Sequence, residues 1–375
     1  MSFKPLFVLS FCGISLFTYD QNTEDKNLLN RYTNFKRPED IEPKDLSAIR
    51  NILERRRAEF FQFDMEKISQ ASAELNGIIQ YYNGNVAGKS GSIPDQHTLL
   101  CTDTWLGEAA ANLVNEWLNT KSQINSRVER ITDLQTENPD EFQIALTDLV
   151  NWCNGLLPDY HRSGYHIVFN LTAGFKAIQG FLQTLAVFYA DETVYIFERS
   201  KTLLKIPRLP LKMQPDEAIQ NNLTAFRRLA NGLRVDSDRL GSIQETLIMS
   251  LEYQYALSTW GTLVWNQTRP ELYKERLWDS PSEKIKFGEK FQASLAGLEK
   301  DRMRMVNEKI DDLAVYLENK TGRSLTSLDF KPLQGNPKPP CTHEMDAWHD
   351  GSAMRLFGYY QSDTFLIDHL GKALH

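Results

Sequence analysis

The chain has 375 residues, 41% of them hydrophobic and 24% charged, with a formal net charge of −7. That is a globular composition long enough for two or three domains, and it excludes a disordered or fibrous chain. The acidic excess lies mainly in the first 200 residues and no later segment is strongly basic, so bulk charge excludes a nucleic-acid-binding patch. A nucleotide or RNA partner has to be held by local geometry instead. The four cysteines, Cys12, Cys101, Cys153 and Cys341, are far apart and form no C-x-x-C pair. This argues against a zinc site and a disulfide framework, and fits a reducing cytoplasm.

In chain order, the apolar run Pro5–Phe17 has the look of a signal-peptide core, but no small-residue cleavage site follows it. Leu6–Ser10 reads instead as a buried strand, with Cys12, Gly13, Ile14 and Ser15 as the turn at its carboxyl end. A charged helical stretch, roughly Pro43–Tyr82, follows, then a Gly- and Ser-rich loop and a second buried strand, His97–Thr102. Asp103 and Thr104 precede a helix carrying Leu106, Ala110, Leu113 and Trp117, and more helix is expected between Ser122 and Leu157. His166–Lys176 is the centre of the reading. Ile167, Val168 and Phe169 form a strand buried on both faces, Asn170, Thr172 and Gly174 a polar turn, and Lys176 opens the next helix. Helix amides and the positive end of the dipole make such a turn an anion site, although the glycines of a dinucleotide fingerprint or a P-loop are missing. Thr193–Phe197 is a further strand. Alternating strands and helices predict an α/β domain with a parallel sheet, whose ligands sit at the carboxyl ends of the strands. Three of those ends carry small polar residues: Ser10 to Ser15, Thr102 to Thr104, and Asn170 to Lys176.

Beyond the Pro-punctuated connector Ile206–Pro210, residues 206–285 read as all-helical, with Leu223, Phe226, Leu229 and Leu233 on one stripe and Leu247, Leu251, Tyr255, Leu257 and Trp260 on another. Thr246–Trp265 is uncharged except for Glu252 and reads as a buried helix rather than a membrane span. Phe291–Asn319 is a helical hairpin broken near Gly297, followed by short strands at His343–Trp348, Ala353–Tyr359 and Thr364–Leu370. The last 90 residues thus form an α+β unit. Four of the seven histidines, His343, His349, His369 and His375, fall within its last 33 residues, which favours a functional cluster.

The motifs S-F-C-G-I-S-L-F-T, T-D-T-W-L-G and N-L-T-A-G-F-K-A-I resemble the CARF domains of CRISPR-associated effector proteins, over about residues 1–205. The resemblance implies a Rossmann-like sheet that forms a homodimer across a two-fold axis and binds a cyclic oligoadenylate, here cyclic tetra-adenylate, as allosteric activator. It implies that Ser10, Cys12, Gly13 and Ser15 line the ring and that Thr172, Gly174 and Lys176 cradle its phosphates; the polar strand ends read above add Thr102, Asp103, Thr104 and Asn170 to the same pocket. Some family members also cut their activator.

Residues 286–375 resemble the RelE-type toxin fold in the order of hairpin, loop, an H-E strand, an R-L-F strand and a histidine-bearing tail. That resemblance implies ribosome-dependent, metal-independent endonucleolytic cleavage of messenger RNA, with no cofactor. Arg355 matches the family's strand arginine as phosphate clamp. His343 and Glu344 are candidates for the base, and His369, Lys372 and His375 for the acid or second cation. The terminal tyrosine usual in that family is absent. The expected organisation is a sensor at 1–205, a helical connector at 206–285 that docks a partner such as a ribosomal protein, and a ribonuclease at 286–375, with no membrane partner. Competing expectations are a ligand-responsive DNA-binding regulator resting on Arg227, Arg228, Arg234 and Arg239, and a ribosome-independent CARF ribonuclease.

Overall fold

Every residue of the run Leu6–Phe11 (β1) is buried, and the run forms the middle of a six-stranded sheet in the computed structural model, which describes residues 4–86, 93–121, 124–197, 202–210, 217–251, 254–319, 328–334 and 339–373. Two compact units are present, Met1–Lys212 and Met213–His375. In the first, β1 is followed by the short helices Ser15–Thr18 (α1) and Thr23–Arg31 (α2), then Pro43–Phe60 (α3), Met65–Ala71 (α4) and Ala73–Tyr81 (α5). Next come Gln96–Cys101 (β2), Trp105–Lys121 (α6), Asn125–Arg130 (β3), Pro139–Arg162 (α7), His166–Asn170 (β4), Lys176–Tyr189 (α8), Glu192–Ile196 (β5) and Leu203–Pro207 (β6). The strand order is β3-β2-β1-β4-β5-β6, parallel except for β6. The chain winds outward in one direction from β1 through β2 to β3, then restarts on the other side of β1 with β4. The β1/β4 boundary is therefore the topological switch point, where the connections diverge and leave a crevice at the carboxyl ends.

Three expectations change here. The stretch Pro43–Tyr82 is three helices, because Asp64 accepts from the Lys67 amide (2.8 Å) and Ser72 from the Leu75 amide (3.2 Å), each capping a new start. The region expected to be helical after Ser122 contains β3. That strand is polar and lies at the sheet edge, so it lacks the apolar run that marks a buried strand. The connector Ile206–Pro210 begins inside β6, an antiparallel edge strand, and the edge is where a sheet tolerates proline.

The second unit holds Glu217–Asn221 (α9), Leu223–Ala230 (α10), a hairpin of Ile248–Leu251 (β7) and Gln254–Leu257 (β8), and Thr259–Glu275 (α11). Then follow Ile285–Phe287 (β9), Glu289–Ser294 (α12), Lys300–Asn319 (α13), Lys331–Pro332 (β10), His343–Trp348 (β11), Met354–Gln361 (β12) and Thr364–Lys372 (β13). The last strands form a sheet in the order β10-β11-β12-β13-β9, antiparallel except for the β13/β9 pair. One face buries Met345, Ala347, Leu356, Phe365, Ile367 and Leu370 against Val306, Ile310 and Leu313 of α13.

The middle segment is not helical throughout. Leu247, Leu251, Tyr255 and Leu257 belong to a 3₁₀ turn and the β7–β8 hairpin rather than to one helix. A spacing of four residues is also a multiple of two, so the same apolar positions satisfy a strand. Nor is the segment a free tether. Buried Arg227 donates from Nε to Asp311 Oδ1 (2.7 Å), the Tyr273 hydroxyl donates to Asp311, and the Asn307 amide donates to the Tyr273 and Arg276 carbonyls at 3.0 and 2.9 Å. These bonds fasten α10 and α11 to α13 within one unit. Among the described residues no helix is long and apolar enough to cross a membrane.

Candidate functional site

At the switch point, Ser10 on β1 pairs in register with Asn170 on β4. The Asn170 amide donates to Ser10 Oγ (3.1 Å) and to the Glu74 carbonyl (2.9 Å), while its Oδ1 accepts from the Thr172 amide (3.3 Å). Asn170 thus ties β1, α5 and the β4–α8 turn together, and both it and Ser10 are 1% exposed. Gly77 on α5 allows this approach, since a Cβ there would strike the side chains of Asn170 and Thr172. Gly174 sits at φ +110°, a backbone open to glycine and strained for other residues.

Outside this buried knot lies a cavity of about 1270 Å³. Ser15, Thr172, Gly174 and Lys176 line it on the sheet side, and Gln70, Asn76 and Gln80 face them from α4 and α5. The N-terminus of α8 reaches it through Phe175, whose side chain does not cap the helix, leaving first-turn amides for a ligand. Lys176 is exposed, and among the described residues it forms no ion pair; Glu66 supplies a carboxylate on the opposite wall. The volume exceeds the roughly 300–1,000 Å³ of ordinary small-molecule pockets, which suits a ligand larger than a mononucleotide.

The other expected ligand residues stand outside this lining. Cys12 is buried, and burial pushes its thiol well above the ordinary range, with Glu74 and Cys101 adding to it. Gly13 is partly exposed. Thr104 Oγ1 accepts from the Gly107 amide (3.1 Å) and shares a hydrogen bond with Thr102. Burial raises the Asp103 carboxyl, but the Asp133 amide, Arg130 and Lys36 outweigh it and hold Asp103 below the usual range. These three residues build the β2–α6 corner. Sequence reading missed the α4–α5 wall, whose signal was the i, i+4 pair Asn76 and Gln80 on one helix face. It also missed Glu74, a fully buried carboxyl that burial raises to about 7.

In the second unit, strand alternation turns Glu344, Asp346, Arg355 and Phe357 away from α13, while His343 falls on the Met345 side. Arg355 is 7% exposed and is not a free clamp. It donates to Glu344 Oε1 (2.8 Å) and Asp329 Oδ2 (3.0 Å), and Asp346 Oδ1 lies 3.0 Å away. Three carboxylates surround it, partly offset by Lys331 beside Asp329 (2.6 Å). His343 stacks on Phe330 with ring centroids 5.2 Å apart, and burial lowers its pKa. Lys372 is exposed at the end of β13, and His375 lies outside the described residues.

His369 reaches the Arg355 side of the sheet through a β-bulge. Phe357 pairs with His369 but Gly358 pairs with Ile367, so Asp368 is the extra residue. With Ile367 and Leu370 both in the core, Asp368 and His369 both turn off the core face. Asp368 Oδ2 lies 2.9 Å from His369 Nδ1, and the Cys341 thiol donates to Asp368 Oδ2 at 3.7 Å. Burial, with Asp368 beside it, pushes that thiol up to about 11. No sequence spacing announces this trio, because Cys341 joins it only through the fold.

Residues 69–209 match the family model described as CRISPR-associated protein (Cas_APE2256). The matched span runs from the end of α4 through β6 and contains Gln70, Asn76 and Gln80 of the cavity wall, the Asn170 turn and Lys176. Over this span the chain is similar to a CRISPR-associated protein. No curated protein matches the chain. Arg227 and Arg228, expected to support DNA reading, are engaged inside the second unit, Arg227 with Asp311 and Arg228 with Glu318.

Proposed function

We propose that the chain is a CRISPR-associated effector whose first unit is a CARF-type sensor of cyclic tetra-adenylate and whose second unit is a RelE-like ribonuclease that cuts messenger RNA on the ribosome. The observation that carries the reading is the switch-point cavity. An uncapped helix N-terminus and a lysine without an ion pair among the described residues stand on the wall of a space larger than ordinary small-molecule pockets, and both lie inside the span that matches a CRISPR-associated family. A cyclic phosphodiester, with one negative charge per phosphate, suits such a wall. On this reading, two copies of the unit face the ring across a dimer axis.

In the proposed reaction the 2′-oxygen attacks the adjacent phosphorus while a base such as Glu344 takes its proton. The bond to the 5′-oxygen breaks, and His369 or Lys372 returns a proton to the leaving oxygen. Arg355 would stabilise the charge on the phosphorane, which requires it to leave its carboxylates. A cation so enclosed supports a resting state that is inactive until ligand or ribosome shifts the population.

The test is a translation reaction reconstituted from purified ribosomes and a defined message, with and without cyclic tetra-adenylate, with RNA ends mapped by primer extension. Codon-phased cuts that need both ligand and ribosomes, and vanish in Arg355→Ala, are expected. Ligand-dependent cutting of naked RNA would replace the ribosome with a free RNA substrate. Ligand-dependent DNA retardation without cutting would overturn the nuclease.

A further inference from the structure

The trio of Cys341, Asp368 and His369 has the donor chemistry and spacing of a metal site. We propose that it binds a zinc-class divalent cation through Cys341 Sγ, a carboxylate oxygen of Asp368 and His369 Nδ1, with the fourth position open to water or a substrate oxygen. The donor atoms all lie within 4.8 Å of one another. The individual separations are 3.7 Å for sulfur to oxygen, 4.0 Å for sulfur to nitrogen and 2.9 Å for oxygen to nitrogen. Tetrahedral zinc with bonds of about 2.0–2.3 Å holds its donors about 3.3–3.6 Å apart, so closing on an ion moves each by a few tenths of an ångström.

Three independent features of the strand make this arrangement. The bulge aims consecutive residues to one side, which regular alternation would forbid. Phe357 stacks on the His369 ring (centroids 4.9 Å apart, planes at 17°), fixing the imidazole plane. Gly371 leaves room beside that ring, since a Cβ there would stand 3.3–3.4 Å from its atoms. Thiolate and imidazole together select zinc over magnesium or calcium, and three protein donors with one open position are the pattern of zinc sites that act on a ligand rather than merely brace a fold. Cys341 and Asp368 are 4% and 8% exposed and His369 is partly exposed, so the open position faces outward past the imidazole.

The inference does not depend on the ribonuclease reading, and its readouts are metal content and spectrum rather than RNA cleavage. Full-length protein is stripped with chelator, reloaded with Zn²⁺, dialysed and assayed by mass spectrometry. Parallel samples take Co²⁺ and are read by absorption. Wild type is expected to retain one zinc per chain and to show a thiolate-to-cobalt charge-transfer band. Cys341→Ser should abolish the band, and Asp368→Asn and His369→Ala should weaken retention more than about 100-fold, since changes outside the donor set already cost 10–100-fold. His349→Ala, just past the end of β11 where the imidazole meets Asp346, should retain the ion. Absence of zinc and band from wild type, or retention unchanged in Cys341→Ser, would overturn the site. Loss in His349→Ala with retention in the three donor variants would move it elsewhere and overturn it equally.

Discussion

The two units hold their candidate phosphate-binding cations in opposite ways. Lys176 stands exposed at an uncapped helix start, on the wall of a large cavity, with no carboxylate paired to it among the described residues. Arg355 is buried beneath Glu344, Asp346 and Asp329. A free cation at a helix N-terminus is ready to bind whatever anion arrives. A cation already neutralised must first be released, and its partners set how hard that is. The contrast suits a sensor that waits and a reactive site that is held back.

The largest break in this contrast is Arg355→Ala. Removing the arginine leaves buried Glu344 with only Lys331, 4.0 Å away, and buried Asp346 with only His349, 2.5 Å away, and urea denaturation of the second unit should show a loss of about 3–5 kcal/mol. If the loss is near zero, Arg355 is not the electrostatic centre of the sheet. The next effect belongs to the first unit. Glu74 is raised from 4.5 to about 7 by burial. The folded form therefore holds its proton more tightly than the unfolded chain, so the group's contribution falls as pH rises from the unfolded value toward 7. Glu74→Gln should gain little at pH 5 and on the order of 3 kcal/mol at pH 8, compared by chemical denaturation at the two pH values. Equal gains at both would show that the carboxyl is already ionised at pH 5.

Smaller effects sharpen the comparison. Lys176→Ala should weaken binding of cyclic tetra-adenylate about 10- to 100-fold by calorimetry, the value of a charge-assisted contact, and leave thermal stability unchanged. Undiminished affinity would remove the lysine from the ligand site. The least costly change is Asp329→Asn. Lys331, then Arg355, holds this carboxyl below the usual range, but its side chain is 37% exposed. Solvent screening limits the stability cost to about 0–1 kcal/mol. By taking one partner from Arg355 it should make cutting less dependent on ligand, measured as the ratio of rates with and without activator.

Much of the fold was legible because period and burial agree. Ile167, Val168 and Phe169 are a strand by composition and are all fully buried, and the three C-terminal strands start and end within two residues of where the sequence places them. What escaped did so for physical reasons. β3 and β6 are edge strands whose residues need not be apolar. The β7–β8 hairpin carries a spacing that two periods share. At the site, the Lys176 turn was visible because strand, turn and helix are contiguous. The paired state of Arg355 was not, because Asp329 comes from a different segment and Asp346 meets it only across a strand pair. Cys341 and Asp368 stand 27 residues apart, beyond any local motif.

The bulge at Asp368 also bears on how such a sheet could gain or lose chemistry over generations. Ile367 and Leu370 both keep to the core although two residues, not one, stand between them, because the bulge lets both of those face outward. Deleting Asp368 would leave Ile367 inward, His369 outward and Leu370 inward, a regular strand with its core intact. Chain length at one position, rather than residue identity, therefore decides whether the donor is present. A lineage could acquire or discard it by a single codon insertion or deletion while every packed residue stays in its place.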